Sequence, residues 1–332
     1  MRIKIRKYFK FLLLILVLYL VLWLYRADFS QGQAVEFGVS FSPKYASQLQ
    51  LNPYQVLTAI LDELKIRKFR LMAYWDEIEA SPGNYDYFNL DWQLREIAKR
   101  QGEVSLVIGH RLPRWPECHW PAWAYQLTDE QRQQKILELL IKTIQRYKDT
   151  SVISSWQVEN EPYLRVFGEC PKPDTDFYKE EVALVKRLDD RPIVVTESGE
   201  LSTWLRAGRL ADWVGTSIYR ITWNKYFGYF YYPLPPAFYN LKTQLVKLLT
   251  GVNDVFISEM QMEPWLDRPV VEAPISEQYR SMNADQFQKN INYVKRTGLS
   301  PVYLWGVEWW YWLAGQGDAS LWQLAEQLGR SN

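Results

Sequence analysis

An α/β fold, a (β/α)8 TIM barrel behind an N-terminal hydrophobic anchor, is predicted by three observations. Eight apolar, β-rich runs alternate with helical patterns between residues 35 and 328. Several runs are nearly continuous in apolar residues, as parallel strands covered on both faces must be. The segments after the runs are longer than those before them and rich in Trp, Tyr, Pro and Gly, as in barrels whose loops are elaborated at one end. An open doubly wound sheet is the alternative, but no Gly-x-Gly-x-x-Gly follows the first run.

The strands are read at Val35–Phe41, Lys68–Trp75, Val104–His110, Ile153–Asn160, Pro192–Thr196, Trp213–Tyr219, Val255–Glu259 and Pro301–Gly306. Helices fill the intervals. Asn52 and Pro53 supply an N-cap and a first-turn proline. The second helix, Asn89–Arg100, stops at Gly102, and the third, Thr128–Lys148, opens on Thr128-Asp-Glu-Gln131, a capping-box pattern. The rest are Thr175–Leu188, Thr203–Arg209, Pro236–Leu249, Ser276–Arg296 and Leu321–Leu328. The long connections are Asp76–Phe88, Arg111–Leu127, Tyr163–Asp174, Arg220–Pro235 and Glu308–Ser320.

Before the barrel come a basic flank at residues 1–10, fifteen apolar residues at 11–25 and a polar linker at 26–34; the barrel occupies 35–332. Positive charge ahead of an apolar run keeps the N-terminus cytoplasmic and sends the barrel across the membrane. Residues 11–25 read as a transmembrane signal-anchor, with Lys10 snorkelling to lend Tyr8 and Phe9 to the apolar length. A cleaved signal peptide is the rival, and it would make the protein secreted. Beyond residue 10 the chain carries 34 basic and 38 acidic side chains, which excludes a nucleic-acid surface. Cys118 and Cys170 follow the third and fourth strands; in a barrel those loops adjoin, so an exported chain can bridge them, two free thiols being the alternative. Two histidines, His110 and His119, and no Cys-x-x-Cys argue against a structural zinc site.

Two glutamates close β-type runs: Ile153-Ser-Ser-Trp-Gln-Val-Glu-Asn-Glu-Pro162 and Val255-Phe-Ile-Ser-Glu-Met-Gln261. Paired carboxylates across one pocket are the machinery of glycosidic bond cleavage. A residue before proline is biased to extended backbone, so Glu161 is expected on a strand end. Glu159 should share its face if the strand is regular, as a pocket residue or a buried ion partner.

Trp156-x-x-x-Asn160-Glu161-Pro162 resembles the acid/base motif of clan A (β/α)8 retaining glycoside hydrolases, with cellulase-like and β-galactosidase-like members, and Ile257-Ser-Glu-Met260 resembles its nucleophile strand. The resemblance implies Glu161 as acid/base and Glu259 as nucleophile. It also implies Arg70 holding the nucleophile, Asn160 and His110 on sugar hydroxyls, Tyr219 bonded to the nucleophile and Trp305 under the sugar. Glu197, in Val-Val-Thr-Glu-Ser-Gly, is a lesser candidate. The chain departs from cellulase-like members at Ser217-Ile-Tyr219, where His-x-Tyr is usual, and the loop Tyr74–Asp86 is closer to β-galactosidase-like ones.

Aromatic residues make up 16% of the chain, a load suited to sugar stacking as well as to a core. Trp115, Trp120 and Trp123, Trp309, Trp310 and Trp312, and the run Tyr226–Tyr232 read as a stacking platform, a hydrophobic lid or a membrane-facing patch. The expectation is a cofactor-free β-glycoside hydrolase acting on a β-linked oligo- or polysaccharide outside the cytoplasm. A transglycosylase remodelling envelope polysaccharide and a non-catalytic carbohydrate-binding barrel are the rivals.

Overall fold

The computed structural model describes residues 2–172 and 174–330; Met1, which opens the basic flank, and residues 331–332, which end the barrel segment, lie outside the described residues. Among these residues, eight parallel strands close into a barrel: Phe37–Phe41, Lys68–Met72, Glu103–Ile108, Ile153–Val158, Ile193–Glu197, Trp213–Ile218, Asp254–Gln261 and Val302–Trp305. Each pairs with its sequence neighbours, and the eighth pairs with the first. Helices wrap the outside, and the core lies between them and the strands, with Val39, Phe69, Leu106, Val195 and Leu304 fully buried.

The helix starts follow their local chemistry. Asn52 caps the amides of Tyr54 and Gln55 ahead of Pro53, and Thr128 and Gln131 form the reciprocal capping box. Two expectations are corrected. The segment Ser276–Arg296 is two helices, Ile275–Gln278 and Ala284–Lys295, because Asn283 caps the second through the Gln286 amide. The connection after the eighth strand contains a helix, Val307–Gly315. Its composition is apolar all round, so it carries no one-sided stripe to read.

Two features set up the mouth of the barrel. On one rim, Arg70 pairs in register with Ser40 and Ser105, whose small side chains leave the barrel interior room for a guanidinium. Facing it, the seventh strand carries an extra residue at Ser258–Glu259 relative to both of its neighbours. Such a bulge re-aims a side chain, and here it brings Glu259 into register with Ser217. A hairpin, Ile221–Asn224 with Gly228–Tyr231, rises from the loop after the sixth strand. The helix Arg2–Arg26 stands outside the barrel; its stretch Tyr8–Arg26 is long and apolar enough to cross a membrane.

Candidate active site

Glu259 is held at both carboxylate oxygens. Arg70 Nη1 donates to Oε1 at 2.7 Å, and the Tyr219 hydroxyl donates to Oε2 at 2.9 Å. Arg70 is itself fixed, donating to Gln157 Oε1 at 2.7 Å and to Asn160 Oδ1 at 2.8 Å. The pair is buried, with side-chain exposures of 1% and 8%. Burial and the charge of Glu259 push the Tyr219 phenol well up, so it stays a donor.

Glu161 lies three residues beyond the end of the fourth strand, with φ +43°, and Glu159 has φ +57°. This corrects the expected extended backbone. The Asn160 amide donates to Arg111 O (2.6 Å) and the Glu161 amide to Thr196 Oγ1 (2.9 Å); these bonds outweigh the bias before Pro162. Left-handed backbone on non-glycine residues is costly and concentrates at functional sites. The peeled chain sends the two carboxylates apart. Glu161 accepts from Ser217 Oγ at 2.8 Å, at the register position opposite Glu259. Burial, then the negative charge of Glu259, raises the Glu161 pKa to about 8.

Glu159 turns toward the third-strand loop. It accepts from the His110 and Arg111 amides, and His110 Nδ1 stands 3.0 Å from its Oε1. Burial alone would raise this carboxyl; the His110 ring and the amide bonds hold it low. Glu159 is therefore buried against His110 and also lines the pocket beside it. His110 lies with it, apart from the Glu259 network, in a cavity of about 350 Å³ that Glu181 and Trp120 also line. Glu197 points elsewhere, accepting from the Ala207 amide.

Trp305 is 7% exposed; its Nε1 donates to Glu263 Oε1 at 2.7 Å, and the Arg114 guanidinium covers its ring at 3.9 Å. Arg114 also pairs with Glu263 (2.5 Å) and Glu308 (3.0 Å). Trp309 and Trp310 are wholly buried, with their indole N–H groups on Gln278 and Met262, so they are core rather than platform. Trp115 is exposed and meets Phe167 edge-on at 5.8 Å.

One carboxyl at the site escaped sequence reasoning. Glu117, 4% exposed, accepts from Asn160 Nδ2 at 3.1 Å and lies 3.6 Å from Arg111 Nε. Burial, opposed by Arg111 and reinforced by Glu259, raises its pKa to about 8. Its neighbour Cys118 is bonded to Cys170, with Cα atoms 5.4 Å apart, which clamps the third- and fourth-strand loops together. The signal available in the sequence was adjacency to that cysteine.

The barrel carries Glu259 and Glu161 at the C-terminal ends of its seventh and fourth strands. No family model matches the sequence, and no curated protein matches it. Solved structures match the fold. The β-galactosidase from Rahnella sp. R3 superposes with a TM-score of 0.60 at 12% identity, over 92% of this chain and 57% of that one. The endo-β-1,4-xylanase of family GH10 from Gloeophyllum trabeum gives 0.55 at 15%, over 85% and 87%. GH5_18 from Streptomyces cattleya, in complex with GlcNAc, gives 0.54 at 14%, over 82% and 70%. The chain spans little more than half the length of that β-galactosidase.

Proposed function

We propose that this chain is a retaining β-glycoside hydrolase acting on a β-linked glycan outside the cytoplasm. One observation carries the reading. Two carboxyls sit at one barrel mouth, one gripped by a guanidinium and a phenol, the other raised to about 8. Environments this different assign one carboxyl as nucleophile and the other as acid.

In the reaction, a Glu259 oxygen attacks the anomeric carbon while the C–O bond to the leaving group breaks. The Glu161 proton passes to the departing oxygen. Water, deprotonated by Glu161, then attacks the glycosyl-enzyme ester and frees Glu259. Arg70 and Tyr219 align the nucleophile, and Asn160 and Trp305 are the proposed sugar contacts. His110, beside Glu159, is the proposed contact for a further sugar hydroxyl. The disulfide and the apolar N-terminal helix favour the extracytoplasmic side.

The test is a panel of 2-deoxy-2-fluoro β-glycosides followed by peptide mass spectrometry. Mass added at Glu259 supports the reading. Inhibition with the label elsewhere, or no label from any sugar, sinks it. A sugar hydroxyl in place of water gives transglycosylation, recognised by longer products when an acceptor glycan is added.

A further inference from the structure

The membrane-length helix does not hang free of the barrel. The Tyr25 hydroxyl donates to Pro233 O, and Arg296 Nη2 donates to Tyr25 O and, at 3.1 Å, to Ala27 O. The Phe29 amide donates to Arg296 O at 3.0 Å, and its ring meets Trp23 edge-on at 6.3 Å. Gly298, at φ +72°, leaves no room for a Cβ against the Phe29 carbonyl. The apolar stretch ends at Arg26, so the chain is tied to the barrel before any linker can give slack.

The barrel surface beside that junction is apolar and bare. The helix Pro236–Thr250 starts three residues after Pro233 and turns Leu241, Leu245, Leu248 and Leu249 outward on one face. Leu248 is 81% exposed. The hairpin joins the same corner through Arg220, which donates to Leu234 O at 2.9 Å, and Tyr226 and Phe227 at its tip are 77% and 81% exposed. Exposed leucines along one helix face and exposed aromatic residues on the hairpin joined to its start mark an interaction surface, and beside a membrane span the matching partner is the lipid interface.

We propose that the outward face of the Pro236–Thr250 helix and the hairpin tip rest in the interfacial layer of the bilayer crossed by residues 8–26. The barrel is then docked on the membrane, not tethered above it. This rests on residues 8–26 crossing a membrane, as the extracytoplasmic reading allows, and is independent of the hydrolase chemistry.

The test uses the full chain in phosphatidylcholine/phosphatidylglycerol vesicles, with single nitroxide labels at Leu248→Cys, Phe227→Cys, Ala98→Cys and Leu16→Cys. The native cysteines are bonded to each other and do not label. Ala98 lies on the helix after the second strand, across the barrel. Collisional relaxation by oxygen, which concentrates in lipid, should exceed that by a water-soluble nickel chelate at positions 248, 227 and 16, with the ratio inverted at 98. Labels at 248 and 227 as nickel-accessible as that at 98, with 16 in lipid, overturn docking and leave anchoring intact. A water-exposed label at 16 overturns both, whatever the enzyme cleaves.

Discussion

Glu259 and Glu161 differ in backbone as much as in partners. Glu259 stands within a strand, aimed by a bulge and gripped at both oxygens by side chains fixed in turn by others. Glu161 stands past a strand end in left-handed backbone, with the Ser217 hydroxyl as its side-chain partner. A group that must form one bond along one line gains from rigidity. A group that gives up a proton and takes one back gains from a poised pKa and a simple shell. On the proposed hydrolase reading, the contrast teaches that the environments, not the residue type, divide the labour.

The comparison breaks most sharply by deletion. Glu259→Ala should abolish turnover of every substrate. Glu161→Ala should lose about 100- to 10,000-fold on substrates with poor leaving groups. It should spare activated aryl glycosides, and azide should partly rescue it by attacking the glycosyl-enzyme without a base. Steady-state assays on both substrate types check this; equal, unrescued losses in both variants would reverse the assignment. Rescue of Glu159→Ala instead would move the acid to the neighbour that the structure ties to His110.

Next in size is the grip on Glu259. Removing one member of a buried ion pair costs about 3–5 kcal/mol. Arg70→Met should therefore lower the unfolding free energy in urea by that order and depress kcat. Tyr219→Phe removes one bond to a charged group, about 1.5–3 kcal/mol. It should lower kcat/KM by about 10- to 100-fold while leaving the fold, read by circular dichroism, unchanged. An unaffected kcat/KM would remove Tyr219 from the machinery.

The smallest effects sharpen the acid side. Activity on poor leaving groups should fall as pH rises through about 8, where Glu161 loses its proton. Glu117→Gln removes a neighbouring negative charge and should shift that limb to lower pH, read from pH–rate profiles of kcat/KM. Stability carries the same sign. Glu161 and Glu117 are raised to about 8 and Glu308 to about 7, from 4.5. The folded chain therefore binds protons that the unfolded chain releases. The stabilisation is complete below pH 4.5 and is lost as pH rises through 7 to 8. Thermal melts across that window should show Tm falling, less so in Glu117→Gln.

Much of the fold was legible because buried parallel strands write continuous apolar runs, and capping residues such as Asn52 and Thr128 act locally. The meeting of Arg70, Asn160, Tyr219 and Glu259 was legible only through strand order, since no local pattern joins residues 189 apart. Two things lay outside sequence reasoning. The backbone at Glu161 is decided by amide bonds to Arg111 and Thr196, which are tertiary. Arg114 meets Glu263 from another loop and Glu308 from the first turn of the helix Val307–Gly315, while Glu117 meets Arg111 within one loop, and no sequence period joins these charges.

If the proposed hydrolase reading holds, the clamp between Cys118 and Cys170 would give the protein a latency. Glu117 takes its place beside Asn160 on a loop whose next residue is covalently bound to the neighbouring loop. Translation supplies every side chain of the mouth, but that last closure requires an oxidant. A chain retained in a reducing compartment would hold Glu259 and Glu161 on a loosened rim. Export would then act as maturation without proteolysis. Reduction of the folded enzyme should lower kcat/KM and return the pH–rate limb toward that of Glu117→Gln, and reoxidation should restore both; an indifferent profile would mean that the rim assembles without its bond.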